Sequence, residues 1–441
     1  MINQTEQMSY RIKNLDVQQQ KISYQMATKE SLQNGSDDSV LYARIVYVDD
    51  KIRTYEGLKS QIERTNVQNN ASDTSVKDIK KILEYVKQEL IKANTSTTTD
   101  DGRVAIATSI AGLKENLFQL GNTQVEGEYV FTGSNTSVKP FEKDATTGKI
   151  SYVGTIDSKK VIVEEGLYKE RGVTGLDMMA YSAFTAYKGE TLNFKATDRI
   201  IDQDGNEWKM RTPITAGNSL TFSAGQKILD NNNKIWTLNA SNQLEDSLGN
   251  INSASVTNNF DGTYTFTVPA SQSMRINDIV RYDSSNAVVD SIALTGNDGL
   301  TPATYSATIP LIDGTKFEAK TNIFDFFDDA VNALNKVDSL GNPISDALSK
   351  SLISKSVDEI AKAYDGVNIA HAILGGRNKV FEVSLERVSS KLTQYDVLSQ
   401  EIASADLTKV AMEAKSLELT YTALYSTISK TNELSLVNFL K

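Results

Sequence analysis

Asp202, Asp204 and Asn206 stand at alternate positions in Ile200-Ile201-Asp202-Gln203-Asp204-Gly205-Asn206-Glu207-Trp208. Oxygen ligands of a calcium loop recur at that spacing. A calcium loop of the helix–loop–helix kind also needs a glycine at its sixth position and a bidentate glutamate at its twelfth. Gly205 comes too early, and Pro213 occupies the twelfth place. The other reading of these residues is an ordinary hairpin turn, and it has a second witness downstream. Ile228-Leu229-Asp230-Asn231-Asn232-Asn233-Lys234-Ile235-Trp236 repeats the pattern, with its tryptophan at the same offset from the aspartate. Two similar hairpins, each anchoring one tryptophan in a sheet core, account for both segments.

The remaining chemistry is sparse. The chain has no cysteine, which excludes a thiolate metal site, a disulfide framework and a cysteine nucleophile. The single histidine, His371, is flanked by Ile369, Ala370, Ala372 and Ile373 and reads as a helix-face residue. Asp202/Asp204 and Asp328/Asp329 are carboxylate pairs of the kind that solvate turns or cap helices. No nucleophile, base and acid come together in the sequence. Neither catalysis nor a cofactor or resident metal is expected.

The elements that would position these residues divide sharply. Residues 1–120 and about 320–441 carry apolar residues every three or four positions, and the stretch between them alternates like strands. The first helix presents Met8, Ile12, Leu15, Gln19, Ile22 and Met26, a heptad stripe with one polar interruption, and stops at Asn34-Gly35. A second helix, capped from Ser36–Asp38, shows Leu41, Ile45, Val48, Ile52, Tyr55 and Ile62. It weakens near Val67–Thr74 and recovers at Ile79, Leu83, Val86 and Leu90. Continuous to Ala93, it would run about 80 Å. A third presents Ile106, Ile110, Leu113, Leu117 and Leu120, and the three stripes could bury one another as an antiparallel bundle.

After Gly121, Glu128–Gly133 and Tyr264–Val268 alternate as strands, and Asp204-Gly205, Gly249-Asn250, Asp261-Gly262 and Asp313-Gly314 mark turns. Helix returns at Ile323, resumes through Leu348, Leu352, Ile353, Val357 and Ile360, and closes with Val380 to Ile402. Past a shift near Ala405-Asp406-Leu407 the stripe continues through Val410, Leu417, Leu424, Ile428 and Leu434. The expected fold class is α+β: an elongated helical bundle or coiled coil formed by both termini, with an inserted mainly-β middle domain. The expected divisions are 1–34 with 400–441, 35–141 with 320–399 (carrying a β-hairpin), and a β-rich insert over 142–319 that divides into two subdomains.

Composition narrows the partners. Net charge is −10 with 23% charged residues, which argues against nucleic acid, and no apolar run is long enough to span a bilayer. Met1–Tyr10 lacks the basic segment and apolar core of a secretory signal, so export would need a different route.

Four stretches together resemble the bacterial flagellin family. Asn34-Gly35-Ser36-Asp37-Asp38-Ser39 before a long helix is similar to the family's Ser-Asp-Asp signature, with Ser39 where proline is common. Thr99-Asp100-Asp101-Gly102-Arg103 leading into Ala107–Leu113 is similar to its third-helix entry. Gly127–Gly133 with Pro140-Phe141 is similar to the aromatic strand of its hook–filament junction branch rather than of filament subunits. Leu374-Gly375-Gly376-Arg377-Asn378 and Ile402–Leu407 resemble its C-terminal helices, with Gly376 where alanine is common. The match covers about 140 N-terminal and 120 C-terminal residues and leaves 142–318 without a family motif.

The resemblance implies a structural subunit of the bacterial flagellum that joins hook to filament. It implies export unfolded through the type III channel, an extracellular location, and no membrane or nucleic-acid partner. The implied partners are copies of the chain in a ring or helical layer, other hook-associated proteins, hook protein, flagellin, and a cytoplasmic export chaperone at the C-terminal helix. Met8, Ile12, Leu15, Ile22 and Met26 are expected to face Val410, Leu417, Leu424, Ile428 and Leu434 in the terminal-helix interface, which would order only on assembly. A filament flagellin is the alternative within the family. A surface adhesin or glycan-binding module on the insert, stacking sugars on Trp208, Trp236, Tyr264 and Phe266, is the alternative outside it.

Overall fold

The computed structural model describes residues 2–283, 285–297 and 303–439. Among these residues seven helices follow in chain order: α1 (Ile2–Thr28), α2 (Ser39–Ala93), α3 (Asp100–Gly121), α4 (Gly175–Met179), α5 (Ile323–Leu334), α6 (Asp346–Ala403) and α7 (Leu407–Phe439). Helical ends and a β-rich middle are as expected. Two bounds differ from expectation. α1 ends at Thr28 rather than at Asn34-Gly35, and α6 is a single helix of 58 residues that runs through the Gly375-Gly376 pair. A Cβ at either glycine would meet nothing within 4 Å, so the pair costs helix propensity without a packing defect. Contacts divide the chain into two compact units.

One unit holds residues 1–66, 161–169 and 379–441. Its core gathers Tyr55, Leu58 and Ile62 of α2, Phe381 and Val388 of α6, and Val161 and Val163 of the hairpin Lys160–Glu164/Leu167–Glu170. Tyr55 stacks on Tyr395 with ring centroids 5.5 Å apart. A strand pair from the expected outer insert therefore belongs to the helices. The reason is chemical: Lys160–Glu164 alternates, and its apolar Val161 and Val163 face the helices. Its Glu164 accepts from Lys391 at 3.1 Å and pairs with Arg387 at 3.1 Å.

The other unit holds residues 67–160 and 170–378. Its helical core combines α2 from Val76, α3, α5 and the first half of α6. Phe118, Phe141 and Phe324 meet edge to face within it. The core that α2 and α3 share contains nothing from α1, so the expected three-helix N-terminal bundle does not form. α5 begins where Asn322 accepts from Phe324 N at 3.1 Å and buries Phe324, Phe326 and Phe327 completely. The strand expected over Glu128–Gly133 shortens to Glu128–Tyr129, paired with Gln124–Val125 through a turn in which Glu126 and Gly127 both have positive φ. Val130, Phe131 and Thr132 leave the ladder to enter the core.

The β region has two lobes. An eight-stranded antiparallel sheet runs in the order 180–187, 316–322, 199–202, 207–210, 278–282, 288–297, 304–308, 191–195. Its two outermost strands follow one another in the chain and touch, so the sheet curls back toward itself around Phe194, Trp208, Tyr305 and Phe317. The second lobe faces a five-stranded sheet against the three strands 219–223, 263–267 and 256–258, over a core of Phe222, Trp236, Leu244 and Phe266.

Candidate assembly surfaces

In the smaller unit, α1 lies antiparallel against α7, and the hydroxyl of Tyr421 donates to Asp16 Oδ1 at 2.6 Å. A short β-bridge between Glu30 and Ser404 pins the open end of this hairpin. Ser31 N donates to Ala403 O at 2.7 Å and Ala405 N to Lys29 O at 2.8 Å. Lys29 takes φ of 65° to make this connection, a left-handed conformation where glycine is the usual residue. The helices that follow this junction, α2 and α7, each start from an aspartate. Asp38 Oδ1 accepts from Val40 N and Leu41 N at 3.1 and 2.9 Å, and Asp406 Oδ1 accepts from Thr408 N and Lys409 N at 3.0 and 3.1 Å. Asp38 is thus the N-cap, and Ser39 occupies the first helical position, the place where proline is well tolerated.

The residues expected at the terminal-helix interface differ in burial. Val410 and Leu417 are buried, and Met8, Ile12, Leu15, Ile22, Leu424 and Ile428 are half-buried. Met26 is 53% exposed; Tyr24 and Gln25 take the inward positions beside it, and Gln25 Nε2 donates to Ser31 O at 2.7 Å. The side chain of Leu434 lies outside the described residues. A second set of apolar residues faces outward, again seven apart: Tyr10 and Val17 on α1, Val40 and Tyr47 on α2, Met412 and Leu419 on α7. Each is more than half exposed. Two paired helices can bury only one stripe each, and these six side chains stay exposed among the described residues.

The larger unit carries polar machinery that the sequence pattern did not reveal. Between the apolar stretches of α2, Gln68, Asn69, Ser72 and Ser75 are buried. Arg171 donates to Gln68 and, at 3.1 Å, to Glu128; Lys159 also pairs with Glu128 at 3.1 Å. Burial alone would push the Glu128 carboxyl up, but Lys159 and Arg171 hold it down at about 2. Arg377, inside the Gly-Gly-Arg-Asn stretch, donates to Ser158 Oγ at 2.9 Å, to Gly172 O at 2.5 Å and to Glu170. Arg103, inside the Thr-Asp-Asp-Gly-Arg stretch, is buried and donates to Ala93 O at 3.1 Å, covering a carbonyl that α2's end leaves open. Thr99 caps α3 by accepting from Gly102 N at 3.2 Å. Arg377 therefore ties segments far apart in sequence, whereas Arg103 closes the local turn between α2 and α3.

The carboxylate spacing at Asp202 builds a turn. Asp202 Oδ1 accepts from Asp204 N and Asn206 N at 3.0 and 2.9 Å, and Oδ2 accepts from Trp208 Nε1 at 2.9 Å. Asp230 does the same with Asn232 N, Lys234 N and Trp236 Nε1, at 2.8, 2.9 and 3.0 Å. Among the described residues no three His, Asp or Glu side chains group as metal ligands. His371 Nε2 lies 2.9 Å from Asp73 Oδ1. Trp208, Trp236 and Phe266 are buried in the lobe cores and Tyr264 is half-buried, so the aromatics expected to stack on sugars are packing residues. Among the described residues no helix is long and apolar enough to cross a membrane.

No family model matches the chain. It is similar to flagellar hook-associated protein 3 of Escherichia coli, 27% identical over 167 residues, and to that of Salmonella typhimurium, 26% identical over 165 residues. These stretches are 37% and 36% of the chain; it spans about half, 51%, of the length of each curated relative. The resemblance read from the motifs is borne out by these relatives. Among solved structures, similarity extends to FlgL of Xanthomonas campestris, with 14% identity, a TM-score of 0.43, and coverage of 78% of this chain and 98% of that one. It extends also to the flagellar junction protein FlgL of Legionella pneumophila, with 15% identity, a TM-score of 0.42, and coverage of 83% and 100%.

Proposed function

We propose that this chain is a non-catalytic structural subunit of the bacterial flagellum, a hook-associated protein that joins hook to filament. The observation that carries the reading is the second heptad stripe, Tyr10, Val17, Val40, Tyr47, Met412 and Leu419, turned to water on helices whose first stripe is already in use. Apolar residues at coiled-coil spacing gain free energy by packing on further helices, at about 25 cal/mol per Å² removed from water. Copies of the chain in a layer, with hook protein, other hook-associated proteins and flagellin above and below, supply those helices. The terminal helices complete their order during that packing, outside the cell. An export chaperone covers the apolar face of α7 before then. The names of the curated relatives support the flagellar assignment.

The test is a deletion strain complemented with the parent gene or with Ile22→Asp or Leu424→Asp. The parent restores filaments; the variants leave intact hooks and shed filaments into the medium, while the purified variant chain keeps its β-region melting transition. Full-length attached filaments on either variant would overturn the seam. Normal attached filaments in the deletion strain itself would overturn the junction role. The filament-flagellin alternative requires purified chain to elongate without limit from seeds. The glycan-binding alternative has lost the aromatic residues that carried it.

A further inference from the structure

Within the larger unit, a cleft of about 460 Å³ opens between the strand Ile150–Tyr152 and the sheet strands bearing Arg199, Glu207 and Lys320. Its inner wall is apolar and aromatic, from Phe141, Tyr152, Leu176 and Met179. Across Thr197, Arg199, Glu207 and Lys209 it adjoins a second recess of about 380 Å³ that Arg211 and Arg275 also line. The volume is in the range of small-molecule sites. Six cations and three carboxylates line the two recesses, although the whole chain carries −10.

Internal pairing leaves part of that positive charge over. Arg199 is held by Glu207 at 2.8 Å, Lys209 reaches the same carboxylate at 3.5 Å, and Arg211 grips Asp278 at 2.9 and 2.7 Å. Lys149, Lys320 and Arg275 have no carboxylate within ion-pair distance among the described residues. Arg275 is half-buried, its Nη2 lies 3.7 Å from Met210 Sδ, and burial pulls its guanidinium below the usual range. Tyr305 and Asp278 oppose that pull, so the cations left for an incoming anion to pair are Lys149 and Lys320.

We propose that this trough binds a small organic anion, carboxylate- or phosphate-bearing, whose ring-sized body lies on Tyr152 and whose charge faces Lys149 and Lys320. The chain's net negative charge disfavours a long polyanion such as nucleic acid, because the field beyond the trough repels it. Binding strengthens as pH falls through about 6. Burial pushes the Asp325 carboxyl, in the same cleft, up to about 6; Lys149 and a hydrogen bond with Thr197 oppose this, and Asp329 and Asp328 reinforce it. Arg199, Glu207 and Lys320 line the same cleft, and Lys195 is occupied by Asp329. Protonating Asp325 removes the negative charge nearest the site.

The site is independent of the assembly reading and is tested on the full chain by isothermal titration with glucuronate, glucose 6-phosphate and uncharged glucose. One of the two anions is expected to bind saturably with glucose silent. Affinity is expected to rise several-fold from pH 7.5 to 5.5, and to fall at least tenfold in Lys149→Glu/Lys320→Glu at unchanged melting temperature. If that double variant melts early, Lys320→Gln takes its place, with a several-fold loss expected. Silence from both anions, equal binding of glucose, undiminished binding by a folded variant, or tighter binding of an oligonucleotide overturns the proposal.

Discussion

A single five-residue device recurs along the chain. Asp202, Asp230, Asn239, Asp246, Asp283 and Asp338 each accept, on Oδ1, from the backbone N–H two and four positions on. In every case the residue three positions on has positive φ: Gly205, Asn233, Asn242, Gly249, Asn286 and Gly341. The chain turns in three residues with a one-residue bulge, and the carboxylate or amide satisfies the N–H groups that the turn leaves open. The Asp-Gly members were legible in the sequence as turns. The Asn233 member was legible through its likeness to the Asp202 segment; the Asn242 and Asn286 members were not, because asparagine shares the left-handed region with glycine without advertising it. Asp230→Ala removes three acceptor contacts at a buried site and is expected to cost about 2–3 kcal/mol, with Asp230→Asn costing less. Denaturant unfolding followed by tryptophan fluorescence checks this, since Trp236 is one of the donors. Asp325 works in the opposite sense. Its folded-state carboxyl is raised to about 6 from an unfolded value near 3.8, so keeping it ionised in the fold costs stability at neutral pH, and that cost fades as pH falls through 6 toward 4. Asp325→Asn is expected to stabilise the chain by about 1–2 kcal/mol at pH 7.5, after allowing for the lost helix-dipole contact, and by far less at pH 4.5. Equal gains at both pH values in thermal melts would overturn that assignment.

Along α2 the apolar stripe gives way to Gln68, Asn69, Ser72 and Ser75 and then returns. The fade was visible in the sequence near Val67–Thr74; that the helix runs through it was not. Propensity and periodicity are local, whereas the groups that satisfy this polar patch come from far away: Glu128 and Arg171 on Gln68, and Thr123 on Ser75 at 3.0 Å. Ser72 instead turns its hydroxyl back to Gln68 O at 2.9 Å. Asn69 has neither its Oδ1 nor its Nδ2 bonded and is 1% exposed. Asn69→Leu replaces an unsatisfied buried amide with an apolar group of similar size, and a gain of about 1–2 kcal/mol is expected in urea unfolding. A loss would mean that the amide is satisfied by a bound water. The Glu128 cluster adds a pH dependence of the usual carboxylate sign. Its contribution is present above about 4.5 and drains away as pH falls toward 2, the value to which the two cations depress it.

For the molecule as a whole, the alternation of helix and strand text placed the ends and the middle correctly. Of the residues expected between α1 and α7, Val410 and Leu417 are buried, and Met26 is exposed where the chain leaves the helix before Lys29. The compact units were harder to read. Val161 and Val163 look like any other alternating strand, and only their partners Phe381 and Val388, more than two hundred residues on, make them part of the helical core. The cleft beside Tyr152 was invisible for the same reason: its charges come from segments that share no motif. The repeated five-residue turn has one further consequence. A lobe whose reversals are each encoded within a few neighbouring residues can be drawn out to a bare thread and rebuild itself from local instructions, on the microsecond scale of hairpin closure. With no cysteine to oxidise and six prolines in 441 residues, little in the chain would make that reconstruction wait for an enzyme.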